Sequence, residues 1–352
     1  MAKKNPPAIS VIIPMFNTEA YVAECLTSLA NQTFQDFEII VADDCSTDNS
    51  RAVVKSFIST FGDRLHMMKL SKNSTCAAVP RNFALKEAVG KYVYFLDSDD
   101  FLTETALEDL YNVAEKFDAD VVHTEKAFKF DDERGKDSSE LFSLQTGKLV
   151  AEPTLETSDT GERVAAFIQK RFTWWACDKL FRRKFLLDNK IAFPLVRVFE
   201  DFVFTFKCIV AAKNYVRVPF ADYYYRIRKD SASHRKLDAV SFMSDVVVTV
   251  TSLDSFMRGR KFFTDDPQLM YLVLDFFVQN RLDVFSNKIF LAQDHSPGEV
   301  YDVLYKKIFS VKPKDNVALT SYLFVTANIL RLYLNQQAAE INELKNLLKA
   351  QS

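Results

Sequence analysis

Three acidic clusters carry the side chains best suited to chemistry in this sequence. Asp97-Ser98-Asp99-Asp100 places carboxylates at i and i+2 directly after an apolar run, Tyr92 to Leu96. If that run is a strand, Asp97 and Asp99 project to one side while Ser98 points to the other. Two hard oxygen donors with open positions suit Mg2+ or Mn2+. Such ions bind through one or two carboxylates and take further ligands from substrate phosphates. The competing reading is a turn that caps the following helix, for which Asp and Ser are common. Asp43-Asp44 ends another apolar run. A carboxylate there can accept from a ribose hydroxyl or a base N–H, or lead a capping turn through Ser46 and Thr47. Glu200-Asp201 lies among Phe199, Phe202, Phe204 and Phe206. Apolar surroundings raise a carboxyl pKa and suit a general base; an acidic pair with one member facing water is the plainer alternative. Trp174-Trp175, beside Asp178-Lys179, offers aromatic faces for stacking on a sugar, or ordinary core. Tyr223-Tyr224-Tyr225-Arg226-Ile227-Arg228 reads as a phosphate contact or as a strand of alternating exposure.

These groups need elements to hold them, and the first hundred residues supply a regular alternation. Ile9 to Ile13 is a β-branched run ended by Pro14, and Glu38 to Ala42 is a second. Leu65 to Leu70 is a weaker third strand and Tyr92 to Leu96 a fourth. Between them, helical spacing covers Tyr21 to Ala30, with Thr18 as N-cap. It also covers the stretch of Val53, Val54, Phe57 and Ile58, and Arg81 to Val89, with Gly90 fitted as the C′ residue. Thr103 or Thr105 caps the next helix, through Leu107, Leu110 and Val113. Such alternation predicts an α/β fold: right-handed crossovers, a mostly parallel Rossmann-like sheet and flanking helices. Ligands of such sheets sit at the carboxyl ends of the strands. The polar clusters after Ile13, Ala42 and Leu96 therefore share one rim. Residues 126–158 are charged and read as a loop or insertion. Apolar patterning returns from about Gly161, and the chain from about Lys236 reads as helical. Leu334 to Leu348 shows only two heptads of a/d spacing, fewer than a coiled coil wants.

Composition removes several function classes. The chain has 352 residues, enough for about two domains, and only 7 glycines, never closer than twelve positions apart. Walker and G-x-G-x-x-G loops need glycines within a few positions. A bound nucleotide must therefore have its phosphates held by another device, for which strand-end carboxylates and a metal are suited. A net charge of -2 gives no basis for nucleic-acid binding. The five cysteines are dispersed, without C-x-x-C, and no apolar h-region follows Lys3-Lys4. Free thiols in a cytoplasmic protein are expected. The longest charge-free apolar stretch near the end, Asn316 to Leu330, is fifteen residues, short of the roughly 20 that span a bilayer. The four histidines lie far apart and form no zinc helix.

Taken together and in order, these segments resemble the family 2 glycosyltransferases, the inverting group with the GT-A fold, of the bacterial cell-surface polysaccharide type. The resemblance covers about residues 8–233. It rests on Ile9 to Asn17, Gln32 to Asp48, Pro80-Arg81-Asn82 through Gly90-Lys91-Tyr92, Asp97 to Asp100, Cys177 to Arg182, Glu200-Asp201 and Tyr223 to Arg226. It implies a GT-A domain over 1–235, with a nucleotide-binding half (1–125) and an acceptor half (126–235). A C-terminal helical region fills 236–352. It also implies that Pro14, Phe16, Asn17, Glu19, Asp44, Arg81, Asp97 and Ser98 line the nucleotide-sugar, with UDP the expected carrier. Phe16 would pack on the base, Asp44 would read it and Arg81 would help hold the nucleotide. Asp97 and Asp99 would meet Mn2+ or Mg2+. Asp201 would be the catalytic base, and Trp174, Trp175, Asp178, Lys179 and Glu200 would face a glycan or lipid-linked acceptor. Cys45 stands where the family usually has glycine, and Asp178 where asparagine is common. Two other classes fit part of the pattern. A phosphohydrolase using Asp97 as nucleophile would want Thr or Val at position 101, which is Phe. A silent sugar-nucleotide or glycan-binding module would not need the full carboxylate set. The C-terminal helices are expected to pack on the catalytic domain, pair as a homodimer, or rest on the inner face of the membrane.

Overall fold

The computed structural model describes residues 6–131, 139–143, 149–228 and 239–277. The chain divides into two units, Met1–Arg235 and Lys236–Ser352. In the first, ten strands form one sheet among the described residues. They are β1 (Ile9–Met15), β2 (Phe37–Asp43), β3 (Leu65–Lys69), β4 (Tyr92–Phe95), β5 (Phe101–Leu102), β6 (Val121–Asp131), β7 (Glu140–Ser143), β8 (Thr154–Leu155), β9 (Lys179–Arg182) and β10 (Tyr215–Ile227). The order is β3-β2-β1-β4-β9-β6-β10-β5, with β7 on β6 and β8 on β10.

The parallel expectation holds for β3, β2, β1 and β4. Every residue of β1, β2 and β4 is buried. That is why these strands read as continuous apolar runs: parallel strands are covered on both faces. Beyond β4 the sheet is mixed. β9 runs antiparallel to both β4 and β6, while β6 and β10 are parallel. The stretch expected as a loop from residue 126 is instead the second half of β6, followed by β7 and β8. Its charges were misleading. Lys126, Lys129 and Asp131 share the strand with buried Ala127 and Phe130, a half-buried pattern.

Helix termini also differ from expectation. The helix Val22–Ala30 has no side-chain cap; Thr18 contributes its carbonyl, which accepts from the Tyr21 and Val22 amides at 2.9 Å. Neither Thr103 nor Thr105 caps the helix Ala106–Lys116 with its side chain. Gly90 is not in the left-handed region. Its requirement is space: a Cβ there would lie 2.6 Å from the Ser10 amide nitrogen and 2.8 Å from the Ile9 carbonyl carbon. The Gly90 amide donates to Ser10 Oγ at 2.8 Å across the same contact. By contrast, Cys45 adopts φ 65. The chain enters the left-handed region there without glycine, the residue that adopts it most freely, and the Cys45 thiol donates to the Leu70 carbonyl at 3.1 Å.

In the second unit, the described residues form the helices Ala239–Arg258, Lys261–Asp265 and Pro267–Phe277. Val246, Val250, Leu253 and Met257 are buried at i, i+4, i+7 and i+11, one stripe of the first helix. The two-heptad stretch and the fifteen-residue apolar stretch lie outside the described residues. Among the described residues no helix is long and apolar enough to cross a membrane.

Candidate active site

β1, β2 and β4 run parallel, with Met15 opposite Asp43 and Ile12 opposite Phe95. Their carboxyl ends therefore open onto one rim, and the turn after β4 carries the acidic cluster. Asp97 and Asp99 are half-buried, while Ser98 and Asp100 are buried. The i, i+2 alternation leaves two carboxylates reachable and closes off the other two side chains. Asp100 is a structural anchor. It accepts from the Arg226 amide at 2.8 Å and from the Tyr223 hydroxyl. Arg226 is buried, donates to the Asp99 carbonyl at 2.7 Å, and pairs with Glu24. Its guanidinium also lies 4.7 Å from the Phe130 ring centroid. Arg226 therefore braces the acidic turn and has little surface left for a phosphate.

Among the described residues, no three His, Cys, Asp or Glu side chains converge into a metal cage. Asp97 and Asp99 give two oxygen donors on one turn, the number used by a divalent ion that shares a substrate diphosphate. The donor set fits such an ion. Asp99 Oδ2 meets Arg228 Nε at 2.7 Å, so a guanidinium already balances this carboxylate. Burial, then the neighbouring Asp97 charge, push the Asp99 pKa up, and Arg228 opposes them.

One residue joins this turn to a distant helix. Arg81, in the helix Ala78–Glu87, is only 2% exposed. Its guanidinium donates to Asp97 at 2.7 Å, to Asp201 at 2.7 Å and to Glu200 at 3.5 Å. It also lies 5.2 Å from the Phe193 ring centroid. Glu200 and Asp201 open the helix Glu200–Ala211, entered through Phe199 at φ 72. A bulky residue in that region is strained, and here the strain turns the chain directly before the two carboxylates. Phe202, Phe204 and Phe206 behind them are buried. Burial pushes the Glu200 pKa up to about 8; the Asp201 charge adds to this and Arg81 opposes it. Burial also raises Asp201, opposed first by Arg81, while Asp97 adds to the rise. The pair is thus arranged so that Glu200 keeps a proton at neutral pH and Asp201 gives one up more readily.

The Glu200 shift carries a stability signature. Its folded pKa lies above its unfolded value, so the folded chain holds the extra proton between about pH 4.5 and 8. Stability must fall as pH rises through that window. Glu200→Gln removes the titration and flattens this part of the melting-temperature profile. An unchanged slope in the variant would show that Glu200 titrates normally.

The rim loops are tied to one another. The Asn17 amide donates to Ser46 Oγ at 3.1 Å, and Asn17 Oδ1 accepts from the Thr47 amide at 2.8 Å. The Thr18 amide donates to Ser50 Oγ at 2.8 Å. The Glu19 amide donates to Asp48 at 3.0 Å, and the Glu19 carboxylate accepts from the Asn49 amide at 2.7 Å. Asn17 and Glu19 thus have structural work at the place where nucleotide contacts are expected. Pro14 is buried in β1 and Phe16 is half-buried beside it. Asp44 is buried, and its two oxygens accept from the Ser74 amide and hydroxyl, each at 2.8 Å. Burial raises its pKa and the Ser74 bonds lower it. Ser74 has no periodic or charged signal in the sequence to mark it.

The residues expected to face an acceptor separate into two groups. Trp174 and Trp175 are half-buried, and Trp175 lies 5.1 Å from Tyr225 and 6.2 Å from Phe142, centroid to centroid. Asp178 and Lys179 are sealed, with no exposed side-chain surface. The acceptor contact expected of that pair is replaced by an internal one. Lys179 Nζ donates to Asp178 Oδ1 at 2.5 Å, to Thr173 Oγ1 at 2.7 Å and to the Trp175 carbonyl at 2.7 Å.

With this geometry in place, residues 10–188 match the family model described as glycosyl transferase family 2, about half of the chain. The chain belongs to that family. A poly(ribitol-phosphate) beta-glucosyltransferase of Bacillus spizizenii is 32% identical over 225 residues, which cover 63% of this chain and 32% of that protein. The poly(ribitol-phosphate) beta-N-acetylglucosaminyltransferase TarP of Staphylococcus aureus is 32% identical over 232 residues, 64% of this chain and 65% of TarP. The crystal structure of S. aureus TarS 1-349 in complex with UDP-GlcNAc aligns with a TM-score of 0.63 at 25% identity. That alignment covers 86% of this chain and 81% of the TarS fragment. The chain spans about a third of the length of the Bacillus relative. As a glycosyltransferase of this family it has the GT-A architecture, and the mixed second half of the sheet is part of it. The family match takes in the strand-end loops, Arg81 and the acidic turn, and stops short of Glu200-Asp201.

Proposed function

We propose that this glycosyltransferase moves a sugar from a UDP-sugar to a hydroxyl of a bacterial cell-surface polymer or its lipid-linked precursor, with inversion and with help from Mn2+ or Mg2+. The observation that carries this reading is the position of Arg81. One buried guanidinium bridges the strand-end carboxylate Asp97 and the helix-start carboxylates Glu200 and Asp201. A donor-side acidic turn and a base candidate thus meet at one residue.

In this mechanism the β1 and β2 loops hold the nucleoside, with Phe16 against the base and Asp44 as acceptor for it. Asp97 and Asp99 would hold the divalent ion, which would supply Lewis-acid charge for the departing diphosphate. Asp201 takes the proton of the acceptor hydroxyl while that oxygen bonds to the anomeric carbon and the bond to the diphosphate breaks. Glu200, protonated at neutral pH, adds no second negative charge beside the base. Arg81 balances Asp97 and Asp201 and fixes their separation. Trp174 and Trp175 would meet the acceptor. Orientation of this kind supplies roughly 7–11 kcal/mol of a barrier.

A melting-temperature screen of UDP-, GDP- and dTDP-sugars with and without Mn2+ tests the donor assignment. UDP-sugars with Mn2+ are expected to give the largest rise, about 2.7 kcal/mol of stabilisation at 100-fold over the dissociation constant. A larger rise with GDP- or dTDP-sugars would overturn the donor. Full transfer activity under chelation would overturn the metal.

A further inference from the structure

Both reachable carboxylates of the acidic turn already face a guanidinium. Arg81 donates to Asp97 at 2.7 Å, and Arg228 Nε lies 2.7 Å from Asp99 Oδ2. The two arginines differ in how firmly they are held. Arg81 is enclosed and also contacts Glu200 and Asp201, so it cannot leave Asp97 without disturbing the base candidate. Arg228 stands just past the end of β10, and its side chain is 18% exposed, against 4% for Arg226 two positions earlier. Arg226 is fixed by the Asp99 carbonyl, by Glu24 and by the rings of Phe101 and Phe130. Of the three guanidiniums at this turn, that of Arg228 is the most exposed.

Tyr21 links Arg228 to the nucleotide side of the cleft. Its ring is half-buried directly after the β1 loop, and the guanidiniums of Arg226 and Arg228 each lie 5.2 Å from its centroid. A cation–π contact attracts a guanidinium through the ring face and leaves its N–H groups for other partners. Arg228 can therefore turn from Asp99 and stay beside the rim loop that carries Asn17 and Glu19.

Asp99 Oδ2 cannot serve this guanidinium and a divalent ion alike. Mg2+ binds oxygen at about 2.0–2.1 Å. An ion on that oxygen would enter the contact shell of the guanidinium, where two positive charges repel with little water between them. A cation arriving alone must displace Arg228 and leave its charge without a counter-ion. A cation arriving with a diphosphate brings acceptor oxygens for it, and the planar fork of arginine matches phosphate geometry.

We propose that Arg228 is an exchangeable counter-ion for Asp99, which holds the cation site closed to a divalent ion alone and opens it to one that comes with a nucleoside diphosphate. The proposal rests on Asp97 and Asp99 being the cation site, and on nothing about the sugar or the acceptor. Cation and nucleotide are then coupled through one side chain, and each tightens the binding of the other by the same factor.

Mn2+ binding to the full chain, read from the electron paramagnetic resonance signal of unbound Mn2+ with and without UDP, tests this without turnover. The chains compared are the wild type, Arg228→Met, Arg228→Lys and Asp99→Asn. Arg228→Met is expected to bind Mn2+ at least about 5-fold more tightly than the wild type when UDP is absent, the lower end of ordinary coupling between sites. The factor by which UDP tightens Mn2+ shrinks by at least as much. Arg228→Lys keeps the charge and is expected to stay close to the wild type in the absence of UDP. Unchanged Mn2+ affinity without UDP in Arg228→Met, or an unchanged UDP factor, overturns the proposal. So does an Arg228→Lys chain that binds Mn2+ alone as tightly as Arg228→Met. If Asp99→Asn binds Mn2+ as the wild type does, it is the cation site itself that is misassigned.

Discussion

Asp201→Asn lowers kcat by about 10²–10⁴-fold, the cost of losing a general base. The substitution is chosen to leave other properties in place. Asparagine keeps the shape of the side chain and removes a charge that burial already disfavours. The variant is therefore expected to melt at or above the wild-type temperature and to show an undiminished UDP-induced rise. Glu200→Gln is the matching comparison. Glu200 is protonated at neutral pH, so its amide analogue keeps most of the activity there. Measured side by side, the two variants separate the base from its neighbour. Asp201→Asn with kcat within about threefold of wild type would remove Asp201 from the mechanism, since a base contributes at least about 10².

Arg81→Leu has the largest expected effect on stability. It leaves Asp97, Glu200 and Asp201 without the guanidinium that contacts all three. Removing one partner of a buried ion pair costs about 3–5 kcal/mol. The lower figure applies, because Asp97 keeps about a third of its side chain exposed. That corresponds to a fall of roughly 6–12 °C in melting temperature for a unit of this size. The sign of the pH dependence follows from Glu200 and Asp201. Both titrate higher in the folded chain than in the unfolded one, and both rise further without Arg81. The folded variant then holds more protons than the unfolded chain from about pH 4 upward, so its stability declines as pH rises. The deficit should be small near pH 4 and grow toward pH 8. A deficit independent of pH would mean that Arg81 acts by packing on Phe193 and not by charge.

The sequence was most legible where burial is total. β1, β2 and β4 stood out as unbroken apolar runs because both their faces are covered, and the acidic clusters followed at their ends. β6 was harder to see, since its lysines and Asp131 sit on a strand whose partners, β7, β9 and β10, come from elsewhere in the chain. The phenylalanines around Glu200-Asp201 correctly signalled an apolar setting. The partner that balances the pair was not legible as such: Arg81 lies more than a hundred residues upstream. Asp178-Lys179 misled for a related reason. Beside two tryptophans the charged pair read as part of an acceptor contact, and nothing local reveals that Thr173 and His123 close over it. Family resemblance supplied the order of the segments, while contacts in space decided which residues face the cleft and which brace it.

The lacing between the loops after β1 and β2 has a consequence for association. Asn17, Thr18 and Glu19 are bonded to residues 46–49 and Ser50 in both directions. A ligand arriving there meets a ledge whose backbone is already committed. Ordering a loop on binding commonly costs about 0.5–1.5 kcal/mol for each side chain immobilised. Much of that loss is absent here, so affinity at the ledge reports contact chemistry and little of loop stiffness. The two loops also form a single mechanical piece: a change at Asp48 or Ser46 moves the floor under Asn17 and Glu19 without touching the ligand.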